Sequence, residues 1–319
     1  MAINYLTTTQ ISGLSTTSIQ NLSVTDLQAL SSTQIGAINT DGVAVLNQTQ
    51  LGALSVTQVR GLTTTQIAAL TTTDIGELSA AQLGALNNTQ LGAVTTTNLS
   101  ALTTTQIGGF STTDVTELSS TQVGSLSATK LNAFSTTNIN TLDASTQLTG
   151  LSSTQIGKLS NANLSALDST QIQSLTTTQI GGLATTQLSA LNTTDVNEFA
   201  DTQLGSFTAT QLAALTTTNF SALDSTQVSG LSSTQIGGLS TTMIRGLNET
   251  DMTELSTTQL DAWSATQIGA LTSTAFNALD ATQVQSLTTT QLAGLTTTQI
   301  SGFTTTDIAE LFSTQVGAM

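Results

Sequence analysis

The chain has 319 residues, with 19 acidic and 4 basic side chains and a net charge of -15 at pH 7. Only 7% of the residues are charged, and Pro, Cys and His are absent. Four scattered bases argue against a nucleic-acid-binding surface, and no apolar run reaches the ~20 residues of a membrane span. Without Cys, disulfides and zinc–thiolate sites are excluded as well.

In chain order, an octapeptide repeat begins at Leu6, and each repeat starts at the apolar residue before a Ser/Thr run. The starts follow every eighth residue to Leu142, where one extra residue enters the repeat 142–150. The register resumes at Leu151 and holds to Leu311, with Met319 at the next start. This gives 39 octapeptide units over residues 6–318. Because no linker interrupts them, we predict a single continuous solenoid array over residues 1–319.

The eight positions differ in what they accept. Positions 1 and 6 are apolar in all 39 repeats, and position 2 is Ser, Thr, Asn or Asp in 36 of them. Position 4 is Thr in 36 repeats, and position 5 is Gln in 24, Asp in 6 and Asn in 4. Position 2 therefore carries the set of residues preferred at helix N-caps. Gln or Asp three residues later has the spacing of a capping box, and positions 1 and 6 have that of a hydrophobic staple.

This pattern predicts one short helix per repeat, over positions 3 to 8. A Thr-rich β-solenoid is the alternative, because Thr, Ile and Val favour strands. Asn and Asp at position 2 argue against strands, and strict alternation would join fixed position 1 to variable positions 3 and 7. On a helix, positions 3 and 7 share one stripe, which we expect to be exposed. Positions 4 and 8 form a second stripe, small enough for close approach by a neighbour.

One octapeptide cannot fold alone, because isolated helices shorter than ~12 residues are marginal in water. Stability must therefore come from stacking of successive repeats, as in solenoid proteins. The residues offer no nucleophile–base pair and no phosphate-binding loop, so we predict that the chain is not an enzyme.

Acidic pairs are the one regular charge pattern. Where position 5 is Asp, position 8 is usually Glu, and two such carboxylates would offer oxygen ligands to calcium. Two ligands are few for a strong site, and the competing interpretation is that Asp caps the helix as Gln does. The calcium candidates are Asp74, Glu77, Asp114, Glu117, Asp195, Glu198, Asp251, Glu254, Asp307 and Glu310.

Phe312 replaces a cap residue at position 2 and is therefore expected to point outward. Near the end of the array it is an interface candidate, covering an open coil or meeting another chain. Because neither end shows a distinct capping segment, we expect self-association, end to end or side to side.

The repeat "LTTTQIGGL" (175–183) and its variants resemble the Ser/Thr-rich short-repeat tracts of large secreted bacterial surface proteins and adhesins. The uninterrupted array, the lack of catalytic residues, the small number of charges and the ends without caps predict a structural protein that assembles into an extracellular fibre, sheath or surface layer. The N-terminal sequence has no secretory signal peptide, so export would follow a signal-peptide-independent route, and a cytoplasmic location stays open. The alternatives are a monomeric adhesin stalk presenting Thr, Ser and Gln faces and, ranked lower, an ice-binding protein.

Overall fold

The structure is a computed structural model and describes residues 3–317. Over these residues the regular secondary structure is helical, comprising the 3-10 helix Ile3–Tyr5 and 38 α-helices of four to six residues. The predicted short-helix solenoid is confirmed, and the β-solenoid alternative is not supported. The Cα positions divide the chain into two compact units, one ending at Leu167 and the other beginning at Asp168. Met319, the expected start of a further repeat, and residue 318, the last of the array, lie outside the described residues.

The helices α1 to α19 of the first compact unit are Thr8–Ser12, Thr16–Gln20, Val24–Gln28, Ser32–Ala37, Thr40–Ala44, Gln48–Gly52, Val56–Val59, Thr64–Ala69, Thr72–Glu77, Ala80–Leu83, Asn88–Gly92, Thr96–Ala101, Thr104–Gly108, Thr112–Glu117, Ser120–Ser125, Ala128–Leu131, Thr136–Asn140, Ser153–Ile156 and Asn161–Leu164. The helices α20 to α38 of the second are Ser169–Ser174, Thr177–Gly181, Thr185–Leu188, Thr193–Asn197, Asp201–Gly205, Ala209–Leu212, Thr217–Phe220, Ser225–Ser229, Ser233–Gly237, Thr241–Arg245, Glu249–Glu254, Thr257–Leu260, Ala265–Ile268, Ser273–Asn277, Ala281–Ser286, Thr289–Leu292, Thr297–Ser301, Thr305–Glu310 and Ser313–Val316.

Most helices start as the cap pattern predicts, whereas α22, α24 and α38, which follow Ala184, Ala200 and Phe312, have no side-chain cap. At α8, the Thr63 hydroxyl accepts from the Gln66 N–H at 3.2 Å, and Gln66 Oε1 accepts from the Thr63 N–H at 2.6 Å. Both bonds satisfy amides that have no partner within a helix. The helix ends where Leu70, the next position 1, donates its N–H to Ile67 O and its backbone becomes extended. One repeat is therefore a cap, about one and a half turns of helix, and a corner.

The core consists of the two apolar positions. Position 6 is buried in every repeat from Ile11 to Leu292, and position 1 from Leu30 to Leu287. Each helix packs on the one three repeats away: α1 on α4 and α4 on α7 in the first unit, α25 on α28 and α28 on α31 in the second. Three repeats, or 24 residues, therefore make one coil in each unit, and the next coil covers its apolar side chains.

Position 5 joins neighbouring coils, a role that the sequence analysis did not predict. The Gln58 Nε2 donates to Leu27 O at 2.7 Å and to Leu30 O at 2.8 Å. Gln122, in the same unit, donates in the same way to the carbonyls 31 and 28 residues earlier. The Gln side chain thus accepts a cap bond within its own repeat and donates to the preceding coil, which explains why it is buried.

The predicted assignment of positions to the exposed stripe and to the contact stripe is partly wrong. Position 4, assigned to the close contact, is exposed in every described repeat, whereas position 3 is often half-buried. The close contact joins position 8 to position 3 of the preceding coil: a Cβ on Gly61 would overlap the Ser32 carbonyl. This contact depends on how successive coils stack, so a helical wheel of one isolated repeat cannot predict it.

The extra residue in repeat 142–150 is absorbed by a turn. Asp143 Oδ1 accepts from the N–H groups of Ser145 and Thr146 at 3.0 and 2.8 Å and from both hydroxyls. These bonds, the Thr146 hydroxyl first, lower the pKa of Asp143. Gln147 still donates to Val115 O and Leu118 O, so the contact between coils continues through the insertion.

Candidate functional site

The aspartates of the acidic pairs are members of capping boxes. Asp74 Oδ2 accepts from the N–H and the hydroxyl of Thr71, both at 2.8 Å. Asp114 accepts from the same two groups of Ser111 at 2.7 and 2.8 Å. Both carboxylates are buried at position 5. One oxygen of each is therefore committed to the start of its own helix.

The pairs of the second unit have the same local geometry. The N–H of Asn192 donates to Asp195 at 3.0 Å, and that of Asn248 donates to Asp251 at 2.7 Å. Asp251 also accepts from the Ser221 hydroxyl of the preceding coil at 2.6 Å. Asp307 accepts from the Thr304 N–H at 2.5 Å and is half-buried.

The glutamates of the pairs are half-buried at position 8, and two of them have perturbed acidity. Burial raises the pKa of Glu198 to about 7, with further contributions from Asp195 and Asp168. Burial also raises the pKa of Glu254, assisted by Asp251 and Asp224. In the first unit Glu117 instead accepts from Asn88 Nδ2 at 2.5 Å. At Glu198 and Glu254, loss of hydration and like charge both favour the protonated form.

Asp195 lies near Glu198 and Asp251 lies near Glu254, since each aspartate contributes to the raised pKa of its glutamate. Within residues 3–317, no group of three or more Asp, Glu, His or Cys side chains is arranged to hold a metal ion. Calcium binding by the pairs, including Asp74 with Glu77 and Asp307 with Glu310, stays a prediction.

Within the described repeats, the coil around Phe312 has the most exposed large apolar side chains. Phe312 is 53% exposed at the start of α38 and offers its helix no side-chain cap. Ile308 and Val316, both at position 6, are 52% and 48% exposed, although this position is buried from Ile11 to Leu292. Phe312 points outward as expected, and it lies next to core side chains that no further coil covers within residues 3–317.

Position 4 provides a second exposed surface. Its threonines project from every repeat in which they occur, whereas the hydroxyls at position 2 are engaged in capping. The cap bonds therefore occupy only one of the two Thr sets. Ice binding by the outer set stays a prediction. Among the described residues, no helix has both the length and the apolar character needed to cross a membrane.

Comparison with known proteins identifies the type of repeat in part of the chain. The chain matches no curated protein. The family model of the ALTTAQ repeat matches residues 19–56 and 46–80. Both segments lie in the first unit, where the structure shows capped helices stacked three to a coil. The array therefore contains tandem repeats similar to ALTTAQ repeats, built as a solenoid of short helices.

Proposed function

We propose that the protein is structural and not catalytic, and that it assembles with copies of itself into a fibre, sheath or layer. The observation that carries this proposal is the stacking of the coils, together with the coil face of Ile308, Phe312 and Val316, which is exposed within residues 3–317. Everywhere from Ile11 to Leu292 the equivalent position-6 side chains are covered by stacked coils. A coil from a second copy would cover this face with the same type of contact.

The energetics favour a coil-sized contact. Burying one large apolar side chain contributes about 1.5–3 kcal/mol, while association costs roughly 4–15 kcal/mol in lost freedom. Three side chains alone are therefore marginal. A stacked coil adds position-5 amide bonds to backbone carbonyls, as inside the chain, where Gln315 reaches Leu287 O at 2.8 Å. Assembly should accordingly depend steeply on protein concentration.

An extracellular bacterial surface is the setting we propose, on the resemblance to surface-protein repeat tracts and on the small number of charges. The exposed position-4 threonines favour a second candidate, a monomeric stalk that presents hydroxyl faces to a partner. The two candidates differ in one property. A stalk stays monomeric at every concentration, whereas a fibre protein does not.

Sedimentation velocity and electron microscopy across a concentration series test the proposal. We expect ordered assemblies that grow with concentration, and a double variant Ile308→Lys/Val316→Lys that remains monomeric. Val56→Lys is the matched control, because Val56 is also an exposed apolar side chain but lies outside the terminal coil. If the wild-type chain is monomeric throughout, self-assembly is refuted and the stalk is favoured.

A further inference from the structure

A polar groove of about 320 Å³ lies beside the stacked helices α30 and α33 in the second unit. Glu249 lines it from α30, and Ser273, Thr274 and Asn277 line it from α33, with Ala278 following. The lining residues carry one carboxylate, one amide and two hydroxyls, and no cationic side chain. The groove therefore presents mainly hydrogen-bond acceptors.

Asn277 gives the groove its most unusual atom. Its Nδ2 donates to Gly302 O at 3.1 Å, which fixes the amide orientation, because the opposite one would set oxygen against oxygen. Its Oδ1 is buried and has no hydrogen-bond partner, the one such side-chain atom found in residues 3–317. A buried acceptor without a donor costs roughly 1–3 kcal/mol, so a donor from outside the chain would be stabilising.

Asn132, at the same repeat position in the first unit, shows why the donor is missing. Its Nδ2 donates to Lys158 O at 2.8 Å, and its Oδ1 accepts from the Ser160 N–H at 2.7 Å. The N–H equivalent to that of Ser160 near Asn277 belongs to Thr304, and it donates to Asp307 instead. The capping aspartate thus takes the donor that would have satisfied Asn277.

Glu249 completes the recognition chemistry. It is exposed, and its carboxylate has no hydrogen-bond or ion-pair partner among residues 3–317. A ligand that matches the groove must bring a positive charge and several N–H donors in a compact group. A primary ammonium has three donors in a tetrahedral arrangement, and the net charge of -15 would attract it.

We propose that this groove binds a primary ammonium group through Asn277 Oδ1, the Glu249 carboxylate and a hydroxyl of Ser273 or Thr274. The group would come from a free alkylamine or from a lysine side chain of another protein. The chain's own bases line no part of the groove.

The first unit contains a matched control groove. It measures about 460 Å³ and is lined at the same repeat positions, with Thr96 in place of Glu249 and Gly124 in place of Asn277. Ser120 and Thr121 correspond to the two hydroxyl residues. The control groove has the hydroxyls without the carboxylate or the unpaired amide oxygen, so it should not select an ammonium.

The test is an NMR titration of the whole chain with n-butylammonium chloride, Nα-acetyl-lysine amide and tetramethylammonium chloride. We expect saturable shifts at the Asn277 side-chain amide and at the Ser273 and Thr274 amides, and none at Ser120 or Thr121. Equal binding of the first two probes assigns recognition to the ammonium itself, and stronger binding of the lysine probe assigns it to a protein side chain. Tetramethylammonium, which has charge but no N–H, should bind at least about tenfold more weakly.

Two variants complete the experiment. Asn277→Ala and Glu249→Gln should each weaken n-butylammonium binding by about tenfold. Glu249→Gln alters an exposed side chain and should fold normally, so the test does not depend on how Asn277→Ala folds. Equal shifts in both grooves, or unchanged affinity in Glu249→Gln, would overturn the proposal. No saturable shift with either amine would mean that water alone satisfies Asn277, which also overturns it.

Discussion

Removing the side chain of Gln122 tests whether the amide contacts between coils stabilise the fold. Its Nε2 donates to Leu91 O at 3.0 Å and to Val94 O at 2.8 Å, and its Oε1 accepts from the Ser119 N–H at 2.9 Å. In Gln122→Ala, Leu91 O keeps the bond from the Val94 N–H, but Val94 O is left buried without a donor. The exposed Ser119 N–H is left to water.

We expect Gln122→Ala to lower the free energy of unfolding by about 2–4 kcal/mol, the cost of a stranded buried carbonyl plus the lost bonds. Gln122→Glu should separate the two roles. Its carboxylate still accepts from the Ser119 N–H but cannot donate to Leu91 O and Val94 O. Thr121→Ala is the control, since it shortens an exposed neighbour and should cost less than about 0.5 kcal/mol.

The assay is urea unfolding followed by circular dichroism at 222 nm, combined with hydrogen exchange of the Ser119 amide. Exchange is needed because a repeat array opens locally as well as globally. If Gln122→Ala matches the wild-type chain in both measurements, then the amide contacts are incidental and packing alone holds the coils together.

Three further predictions concern the capping residue Asp74, the core residue Leu151 and the titrating residue Glu198. Asp74→Gln should raise the free energy of unfolding by about 1–2 kcal/mol in urea unfolding, because the new amide reaches the preceding coil; an unchanged or lower value contradicts this. Leu151→Asp, at a buried position 1, should lower it by about 3 kcal/mol or more, and an unchanged melting curve would show that Leu151 is not core. The pKa of Glu198 is about 7 in the folded chain and near 4.5 in the unfolded chain. Protonation of Glu198 therefore contributes stability that is fully present below pH 4.5 and is lost as the pH rises through 7. Glu198→Gln should therefore weaken the fall in melting temperature between pH 5 and pH 8, and an identical fall in both proteins would rule out this role.

Local structure was predictable from the sequence because the cap signal is local. Thr63, Gln66 and Ile67 form the predicted cap, capping box and core position, since each contact spans at most four residues. The number of repeats per coil was not predictable, because nothing inside eight residues specifies a contact 24 residues away. The contact surfaces at positions 3 and 8 depend on that number.

The amide contact itself left a signal in the sequence. A capping box accepts Glu as readily as Gln, yet position 5 is Gln in 24 repeats and never Glu. Only the amide donates as well as accepts, and Gln58 does both. The groove at Asn277 carried no such signal, because its unpaired oxygen results from a competition for one N–H between Asn277 and Asp307.

Three repeats per coil also bear on how the array could have grown. "LTTTNFSALDSTQVSGL" (215–231) recurs in similar form 56 residues later, at 271–287, a distance of seven repeats. Seven is two full coils plus one repeat, so every such duplication would move its copy one third of the way around the axis. The acidic pairs at Asp195, Asp251 and Asp307 share this spacing, so within the second unit they occupy three different sides. A duplication of six repeats would have stacked the same carboxylates in one column, where their mutual repulsion would increase with every copy.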